Sequence, residues 1–201
     1  MPEYTIIAGP NGAGKSLFSS TLSEPDSLIF DADKVKAIKE KEYPDLPEES
    51  IEMMITSAYW NAEDTAIEEK KDLVVESNLR NDFLINRLDF FKSKGYSTNL
   101  IYMLLPSVEI SFERVGLRVA QKGHFIDSQS ISYNFEYGIM NLKKHFNKFD
   151  RLQILNSFFN DNPSKLQILL TLKNNKIHFI NENAPLWAKP ILDEITQNLN
   201  N

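Results

Sequence analysis

The run Gly-Pro-Asn-Gly-Ala-Gly-Lys-Ser at residues 9–16 constrains the fold of this chain more than any other segment. It matches the pattern G-x-x-x-x-G-K-[ST], and three of the chain's 7 glycines fall within it. Glycines in such a loop let the backbone turn with positive φ and bring N–H groups close to a phosphate. The helix that follows points its positive end at the same anion. The pattern therefore predicts a buried strand, this loop and a helix in succession.

The last two residues of the pattern predict a site for a nucleotide triphosphate. Lys15 can neutralise the β- and γ-phosphates, and the Ser16 hydroxyl can hold Mg²⁺. A turn that merely tolerates glycine would explain neither residue. We therefore expect ATP and Mg²⁺ as cofactors. The predicted nucleotide-binding residues are Gly9, Pro10, Asn11, Gly12, Ala13, Gly14, Lys15, Ser16 and Leu17.

Strands alternate with helices along most of the chain, which predicts an α/β fold. The predicted strands are YTIIAG, SLIFDAD, DLVVES and STNLIYMLLP, and the helices between them include one from Lys15 to about Leu22 and one over residues 82–95. We expect a P-loop NTPase of the kinase type, with a mostly parallel central sheet covered by helices on both faces. In the tail, RLQILNS predicts another strand and KLQILLTLKNNKIHFI an antiparallel pair with a short turn. The length indicates a single domain over residues 1–201.

Composition and charge exclude several other classes of protein. The chain has no cysteine, so it has neither disulfides nor thiolate metal ligands, and this fits a cytoplasmic location. The net charge of −6 argues against broad binding to nucleic acid. We expect no membrane segment, because no run reaches about 18 apolar residues. The N-terminus also lacks the basic start and apolar stretch of a signal peptide.

Three acidic residues follow predicted strands, namely Asp31 and Asp33 after the second and Glu76 after the third. Ligands of open α/β sheets bind beyond the carboxyl ends of the strands, so we expect these acids at the same rim as Lys15. Asp31 and Asp33 have the same parity, so in an extended chain they face the same way. One of them can then serve Mg²⁺ and the other the acceptor hydroxyl. The alternative for each acid is that it caps the next helix.

The segment ERVGLRVAQKGH carries cations of the kind that a phosphate-transfer site needs. Arg114 and Arg118 are four residues apart, so they share one helix face. Gly123 then ends the helix directly before His124. We expect a lid near residues 121–135 that carries an arginine to the phosphates. The alternative is that both arginines are solvated or paired with nearby glutamates.

Four classes of P-loop protein compete at this point. A transporter-type or chromosome-type ATPase needs a second glycine-rich signature, and a GTPase needs an Asn/Thr-Lys-x-Asp segment; the sequence has neither. A small-molecule kinase fits the length and the alternation of strands and helices. A nucleotide-binding switch or ATPase module with little or no kinase turnover is the alternative.

Several segments together resemble the zeta toxin family of P-loop kinases, whose relatives are often labelled predicted ABC-type ATPases. AGPNGAGKS is similar to the first motif of the family, FDADKV to its Asn-Ala-Asp segment and VVESNL to its Glu-Thr segment. Residues 95–126 resemble its longest motif, which is Arg-Val, a spacer, Arg-Val and then Gly-Gly-His. LQILNS is similar to the late Asn-Ser segment, so the resemblance covers roughly residues 4–157.

The resemblance implies ATP- and Mg²⁺-dependent phosphorylation of a hydroxyl on a sugar nucleotide. In the best-known branch of the family the acceptor is a sugar nucleotide, UDP-N-acetylglucosamine. The resemblance places Asp33 at the position of the catalytic base, and kinase chemistry makes Lys15 and Arg118 the groups that stabilise the moving phosphoryl group. A toxin would also have an antitoxin protein as its partner.

The remaining expected site residues bind the substrate or the metal. The resemblance places Glu76 near the sugar substrate, with Ser77 at the position of the family's threonine. The expected substrate-binding residues are Asp31, Glu76, Ser77 and His124. Asp31 is also an expected Mg²⁺ ligand, together with Ser16.

One segment departs from the family. After the Gly-His segment the family has an arginine-rich helix start, whereas this chain has SISYNFEYGIMNL. Tyr133, Asn134 and Tyr137 stand where arginines are expected. Loss of an arginine that contacts the transferred phosphate can cost about 10³-fold or more in rate. Either another cation substitutes, or the activity is altered or lost. The nearby candidates for that cation are Lys122, Lys143 and Lys144.

Overall fold

The computed structural model describes residues 1–120, 126–159 and 165–199. Within these ranges the chain forms seven strands and seven α-helices. The strands are β1 (Glu3–Ala8), β2 (Leu28–Asp31), β3 (Leu73–Ser77), β4 (Ser97–Leu104), β5 (Arg151–Asn156), β6 (Gln167–Lys173) and β7 (Lys176–Ile180). The helices are α1 (Lys15–Phe18), α2 (Ala32–Glu42), α3 (Glu48–Glu69), α4 (Leu88–Ser93), α5 (Val108–Ala120), α6 (Ser128–His145) and α7 (Lys189–Asn198).

The strands form one sheet in the order β2-β3-β1-β4-β5-β6-β7. The first five in this order are parallel, and the last two are antiparallel to their neighbours. The turn between β6 and β7 consists of Asn174 and Asn175, whose φ angles of 48° and 58° suit a two-residue hairpin. The predicted α/β class, mostly parallel sheet and antiparallel tail are confirmed.

Side chains of β1 alternate between two hydrophobic clusters, one on each face of the sheet. Tyr4, Ile6 and Ala8 belong to the larger cluster, which also contains side chains from α3, α4, α6 and α7. Ile7 belongs to the smaller cluster, which contains Phe18 of α1 and is flanked by a side chain of α5. Helices therefore cover both faces, as predicted. No helix within the described ranges is long and apolar enough to cross a membrane.

Two predicted helices are shorter than expected. The helix that begins at Lys15 ends at Phe18 and not near Leu22, because the serines and threonine that follow favour turns over helix. Of residues 82–95, only Leu88–Ser93 is α-helical, preceded by a 3₁₀ turn. The side chain of Asn81 accepts a hydrogen bond from the Phe83 backbone N–H at 3.1 Å, which holds a turn where the helix was expected to start.

Helix α6 packs a polar stripe against the loop that follows β3. Asn141 Nδ2 donates to the carbonyl of Leu79 at 2.8 Å. At Gly138, one turn earlier, an added Cβ would lie 2.5 Å from the carbonyl oxygen of Asn78 and 2.8 Å from the Tyr102 hydroxyl. The helix can approach the loop this closely only because residue 138 is glycine.

We expect opposite effects from alanine at two helix-interior glycines. Gly138→Ala forces a methyl group against Asn78 and lowers the free energy of unfolding by about 1–3 kcal/mol. At Gly116 in α5 an added Cβ meets no atom within 4 Å. Gly116→Ala therefore raises the free energy of unfolding by about 0.5–1 kcal/mol. Urea denaturation of both variants measures this, and changes of the same sign would contradict the packing of α6.

Candidate nucleotide-binding site

The P-loop lies between β1 and α1, at the carboxyl edge of the parallel strands. Gly9 has φ of 147°, and an added Cβ there would lie 2.5 Å from the carbonyl oxygen of Met103. Gly14 has φ of 89° and immediately precedes α1. At both positions a side chain would be strained by φ, and at Gly9 also by contact with β4. These two glycines therefore fix the path of the loop.

Lys15 is held by three neutral oxygen atoms. Its Nζ donates to the carbonyls of Gly9 at 2.8 Å and Pro10 at 3.2 Å, and to Asn78 Oδ1 at 2.8 Å. Withdrawal of the ammonium from water lowers the pKa of Lys15 to about 8, against the opposing effect of nearby carboxylates, of which Asp33 contributes most. The ammonium thus has no direct carboxylate partner within hydrogen-bond distance among the described residues. Its charge is available to a phosphate.

Ser16 joins two carboxylates at the ends of neighbouring strands. Its hydroxyl lies 2.6 Å from Glu76 Oε2 and 3.1 Å from Asp31 Oδ2. Both carboxylates are buried, and Glu76 Oε1 has no hydrogen-bond partner among the described residues. Hard oxygen donors of this kind suit Mg²⁺, which binds through one or two carboxylates with phosphate oxygens and water. The residues present fit the metal.

This arrangement is not a metal centre built from protein ligands alone. The described residues contain no group of three or more histidine, cysteine, aspartate or glutamate side chains that could hold a metal ion. Mg²⁺ in such a site would complete its coordination with phosphate oxygens of the nucleotide and with water. Ser16, Asp31 and Glu76 would hold it only as part of a nucleotide complex.

The prediction that Asp31 and Asp33 face the same way in an extended chain is wrong. β2 ends at Asp31, and Asp33 lies in the first turn of α2. Asp31 Oδ1 accepts hydrogen bonds from the backbone N–H groups of Asp33 at 3.0 Å and Lys34 at 3.2 Å, so Asp31 caps α2. Asp31 is buried beside Ser16, whereas Asp33 is exposed. The chain therefore separates the two acids into different surroundings.

The P-loop borders a cavity of about 840 Å³. Of the nine predicted nucleotide-binding residues, six line the cavity, namely Asn11, Gly12, Gly14, Lys15, Ser16 and Leu17. The remaining three shape the loop behind them, and Ala13 packs into the smaller hydrophobic cluster. The acids Asp31, Asp33 and Glu76 and the hydroxyl residue Ser77 also line the cavity, as predicted for one rim. Ser77 Oγ accepts a hydrogen bond from the Leu79 N–H at 2.9 Å and so supports its own loop.

The two arginines of α5 line the same cavity. Arg114 Nη1 donates to the carbonyls of Gly12 at 3.1 Å and Ser157 at 3.0 Å. It therefore ties the P-loop to the end of β5. Arg118 is exposed at the cavity, and its charge contributes to the lowered pKa of Lys15.

The predicted lid falls only partly within the described residues. His124 and Lys122 lie outside them, as do the other residues of 121–125. Of the rest of the lid, residues 128–135 are the first turns of α6, and Ile126, Asp127 and Ser130 line the cavity.

The three positions where arginines were expected have different surroundings. Asn134 is buried at the cavity, and its Nδ2 donates to Asn11 Oδ1 of the P-loop at 2.9 Å. Tyr133 and Tyr137 stack on each other outside the cavity lining, with ring centroids 4.1 Å apart. Only Asn134 therefore reaches the nucleotide site. The neutral amide contacts the loop itself.

Two of the cations proposed as substitutes lie elsewhere. Lys143 pairs with Glu194 at 2.5 Å and Lys144 with Asp82 at 3.1 Å, and neither lines the cavity. The basic residues that line it, among those described, are Lys15, Lys36, Arg80, Arg114 and Arg118.

Sequence reasoning missed Asn78 and Arg80. Asn78 holds Lys15, and Arg80 is exposed in the cavity wall. Both follow Glu76 within four residues on the loop after β3. The polar run Glu-Ser-Asn, which ends an apolar strand and continues into the loop, was the signal that could have identified Asn78.

The sequence profile of the Zeta toxin family matches residues 1–183. The chain belongs to the zeta toxin family. An uncharacterized protein of Haemophilus influenzae is 26% identical over 130 residues, which are 65% of this chain and 90% of that protein. Family membership and the P-loop together support a nucleotide-dependent kinase or ATPase.

Solved structures of low sequence identity share the fold. The PezAT chromosomal toxin–antitoxin system of Streptococcus pneumoniae matches with a TM-score of 0.59 and 18% identity, over 100% of this chain and 86% of that chain. The AvrRxo1-ORF1:ORF2 complex with ATP matches with a TM-score of 0.64 and 13% identity. That match covers 98% of this chain but only 64% of the other. At these identities the likeness concerns the fold alone.

Proposed function

We propose that this zeta toxin family member is a kinase that transfers the γ-phosphoryl group of ATP to a hydroxyl of a small molecule. The observation that carries the proposal is the placement of Asp33. It is an exposed carboxylate in the wall of the P-loop cavity, and among the carboxylates it has the largest effect on the pKa of Lys15. A carboxylate in this position is near Lys15, which is expected to bind the phosphate, but forms no hydrogen bond with it, so it can act as the base.

The residues divide the work of phosphoryl transfer among them. Lys15 and Arg118 stabilise negative charge on the γ-phosphoryl group, while Arg114 keeps the P-loop in place. Asp33 orients the acceptor hydroxyl and takes its proton as the oxygen bonds to the γ-phosphorus. The bond between that phosphorus and the β,γ-bridging oxygen breaks, and ADP leaves. Ser16, Asp31 and Glu76 would hold Mg²⁺, which would supply positive charge that neutralises the phosphates.

UDP-N-acetylglucosamine is the first acceptor to test, because the family resemblance implies it. The measurement is ADP release from Mg·ATP with and without the acceptor, together with transfer of label from [γ-³²P]ATP. We expect the acceptor to accelerate ADP release and to become labelled, and EDTA to stop both. If ADP release has the same rate without an acceptor as with every hydroxyl compound tested, the kinase proposal is contradicted.

A nucleotide-dependent switch or ATPase with little turnover is the second candidate. The neutral Asn134 at a position of the expected arginines favours it, because this side chain contacts the P-loop yet brings no charge to the phosphates. A switch would bind ATP tightly and ignore acceptors, so the same assay separates the two candidates.

Two further expectations extend this proposal to the whole chain. An antitoxin protein is a proposed partner, supported by family membership and by the shared fold with a toxin–antitoxin system. We also propose that residues 1–201 form a single domain with a lid near residues 121–135, which would close over the nucleotide.

We expect ATP affinity to decrease as pH rises above about 8. Lys15 has a pKa of about 8 before phosphate binds, so above this pH the neutral amine must take up a proton to bind ATP. Calorimetry in buffers of different ionisation enthalpy should show uptake of nearly one proton per ATP at about pH 9.5 and little at about pH 7.5. Lys15→Arg keeps its charge throughout, so its proton uptake should stay near zero. Equal uptake in both proteins would contradict the lowered pKa.

A further inference from the structure

The Lys15 ammonium uses all of its hydrogen-bond donors within the protein. An ammonium group has three N–H donors and no acceptor. The three partners of Lys15 are the carbonyls of Gly9 and Pro10 and the amide oxygen of Asn78, at 2.8, 3.2 and 2.8 Å. A phosphate oxygen can therefore take a whole N–H donor of Lys15 only when one of these three partners gives it up.

Asn78 is the partner that can give way. The other two acceptors are backbone carbonyls of the P-loop, whose path is fixed at Gly9 by a positive φ and by contact with Met103. Asn78 instead reaches Lys15 with a side chain, from the loop after β3. This side chain lines the cavity and is half-buried, and its amide nitrogen makes no hydrogen bond with another described residue. Rotation of the Asn78 side chain therefore breaks only its bond to Lys15.

The backbone beside Asn78 is held by contacts on several sides. Leu79 has φ of 56°, a left-handed conformation that a leucine rarely adopts and that its surroundings must maintain. The Leu79 N–H donates to Ser77 Oγ at 2.9 Å, and its carbonyl accepts from Asn141 Nδ2 at 2.8 Å. The carbonyl of Asn78 itself packs closely against Gly138 of α6. The loop can therefore keep its position while the Asn78 side chain changes partner.

We infer that Asn78 is a positioning residue that holds the Lys15 ammonium before ATP binds and releases it to the γ-phosphoryl group. This inference rests on the proposed function and assigns a step of ATP binding at the same site. The exchange keeps all three N–H donors of Lys15 satisfied, by Asn78 before ATP binds and by a phosphate oxygen afterwards. The bond between Asn78 and Lys15 opposes ATP binding, because it must break when the phosphate arrives.

The first measurement is the affinity for a non-hydrolysable ATP analogue with Mg²⁺, by calorimetry at about pH 6.5, below the pKa of Lys15. Asn78→Leu keeps a side chain of similar volume but removes the acceptor, so one N–H of Lys15 lacks a protein partner until phosphate binds. We expect affinity for the analogue to rise about three- to tenfold. Asn78→Asp holds the ammonium with a carboxylate, so affinity should fall about tenfold or more.

The second measurement is the proton uptake that accompanies binding of the analogue. A bonded acceptor favours the charged form of an ammonium, so Asn78→Leu should lower the pKa of Lys15 and Asn78→Asp should raise it. At about pH 7.5, where the wild type takes up little, Asn78→Leu should take up more protons. At about pH 9.5, where the wild type takes up nearly one proton, Asn78→Asp should take up fewer. A purely structural role of Asn78 would not shift proton uptake in opposite directions.

The matched control is Asn86→Leu, at an exposed asparagine outside the cavity, which should change neither affinity nor proton uptake. Two results would overturn the inference. One is an affinity for the analogue that falls or stays the same in Asn78→Leu, and the other is equal proton uptake in the wild type and both Asn78 variants. Failure of the proposed function gives a different result, in which both Asn78 variants behave as expected but no hydroxyl compound receives phosphate from ATP.

Discussion

Phosphate transfer from ATP is expected to fall by about 10³-fold or more when Lys15 is replaced by methionine. Methionine has nearly the same length, so it fills the space between the P-loop and Asn78 without the charge. We expect the rate of transfer to fall because Lys15 is the one basic residue of the P-loop, and it lines the cavity. The arginines of α5 cannot replace the Lys15 ammonium. Arg114 is bonded to backbone carbonyls, and Arg118 reaches the cavity from α5 and not from the P-loop.

The same substitution should leave the fold intact and make it more stable at neutral pH. The pKa of Lys15 in the folded protein, about 8, is below its ordinary value of 10.5. The unfolded chain therefore holds this proton more tightly, and wild-type stability should rise with pH between about 8 and 10.5. Lys15→Met lacks this rise and has a higher melting temperature at pH 7. These two outcomes together would show that a loss of transfer is not caused by unfolding.

The control is Lys39→Met, which removes a lysine paired with Glu42 on the surface of α2. It should leave transfer unchanged. Transfer by Lys15→Met within about tenfold of wild type would mean that this loop does not hold the phosphate that moves. The proposed kinase mechanism would then fail.

The sequence predicted the parts of this site that depend on local patterns. The P-loop motif fixed the order of strand, loop and helix, and acids after apolar strands predicted the rim where Asp31 and Glu76 meet Ser16. Parallel strands end at one edge of a sheet, so position in the chain was enough to bring these groups together. That reasoning gives the edge at which a residue lies. It does not give the direction of a side chain.

Asp31 and Asp33 show this limit. Their parity predicted a common direction only while the chain stays extended, and the helix that begins at Ala32 removes that condition. Helix α6 shows another limit, because its buried stripe contains Asn134, Gly138 and Asn141. A helix with so many polar or small residues on its buried face gives a weak apolar period. The contacts that these residues make with the P-loop and the β3 loop depend on tertiary packing.

Because the two aspartates lie in different surroundings, we expect Asp33→Asn and Asp31→Asn to affect different steps, the first phosphate transfer and the second Mg²⁺-dependent ATP binding. Asp33→Asn removes the proposed base and should reduce transfer to the acceptor by about 10²–10⁴-fold. ATP affinity in the presence of Mg²⁺ should change far less than transfer, because Asp33 is exposed and acts on Lys15 only through its charge. Measurement of transfer and of ATP binding on the same preparation tests both statements.

Asp31→Asn should act mainly on Mg²⁺-dependent ATP binding. Asparagine caps a helix as well as aspartate does, so α2 keeps its start and the fold is preserved. The substitution removes one carboxylate beside Ser16, so the dependence of ATP binding on Mg²⁺ should weaken. If Asp31→Asn instead abolished transfer with Mg²⁺-dependent binding intact, and Asp33→Asn weakened that binding, the two roles would be exchanged. The capping aspartate would then be the base, and the exposed one would belong to the metal.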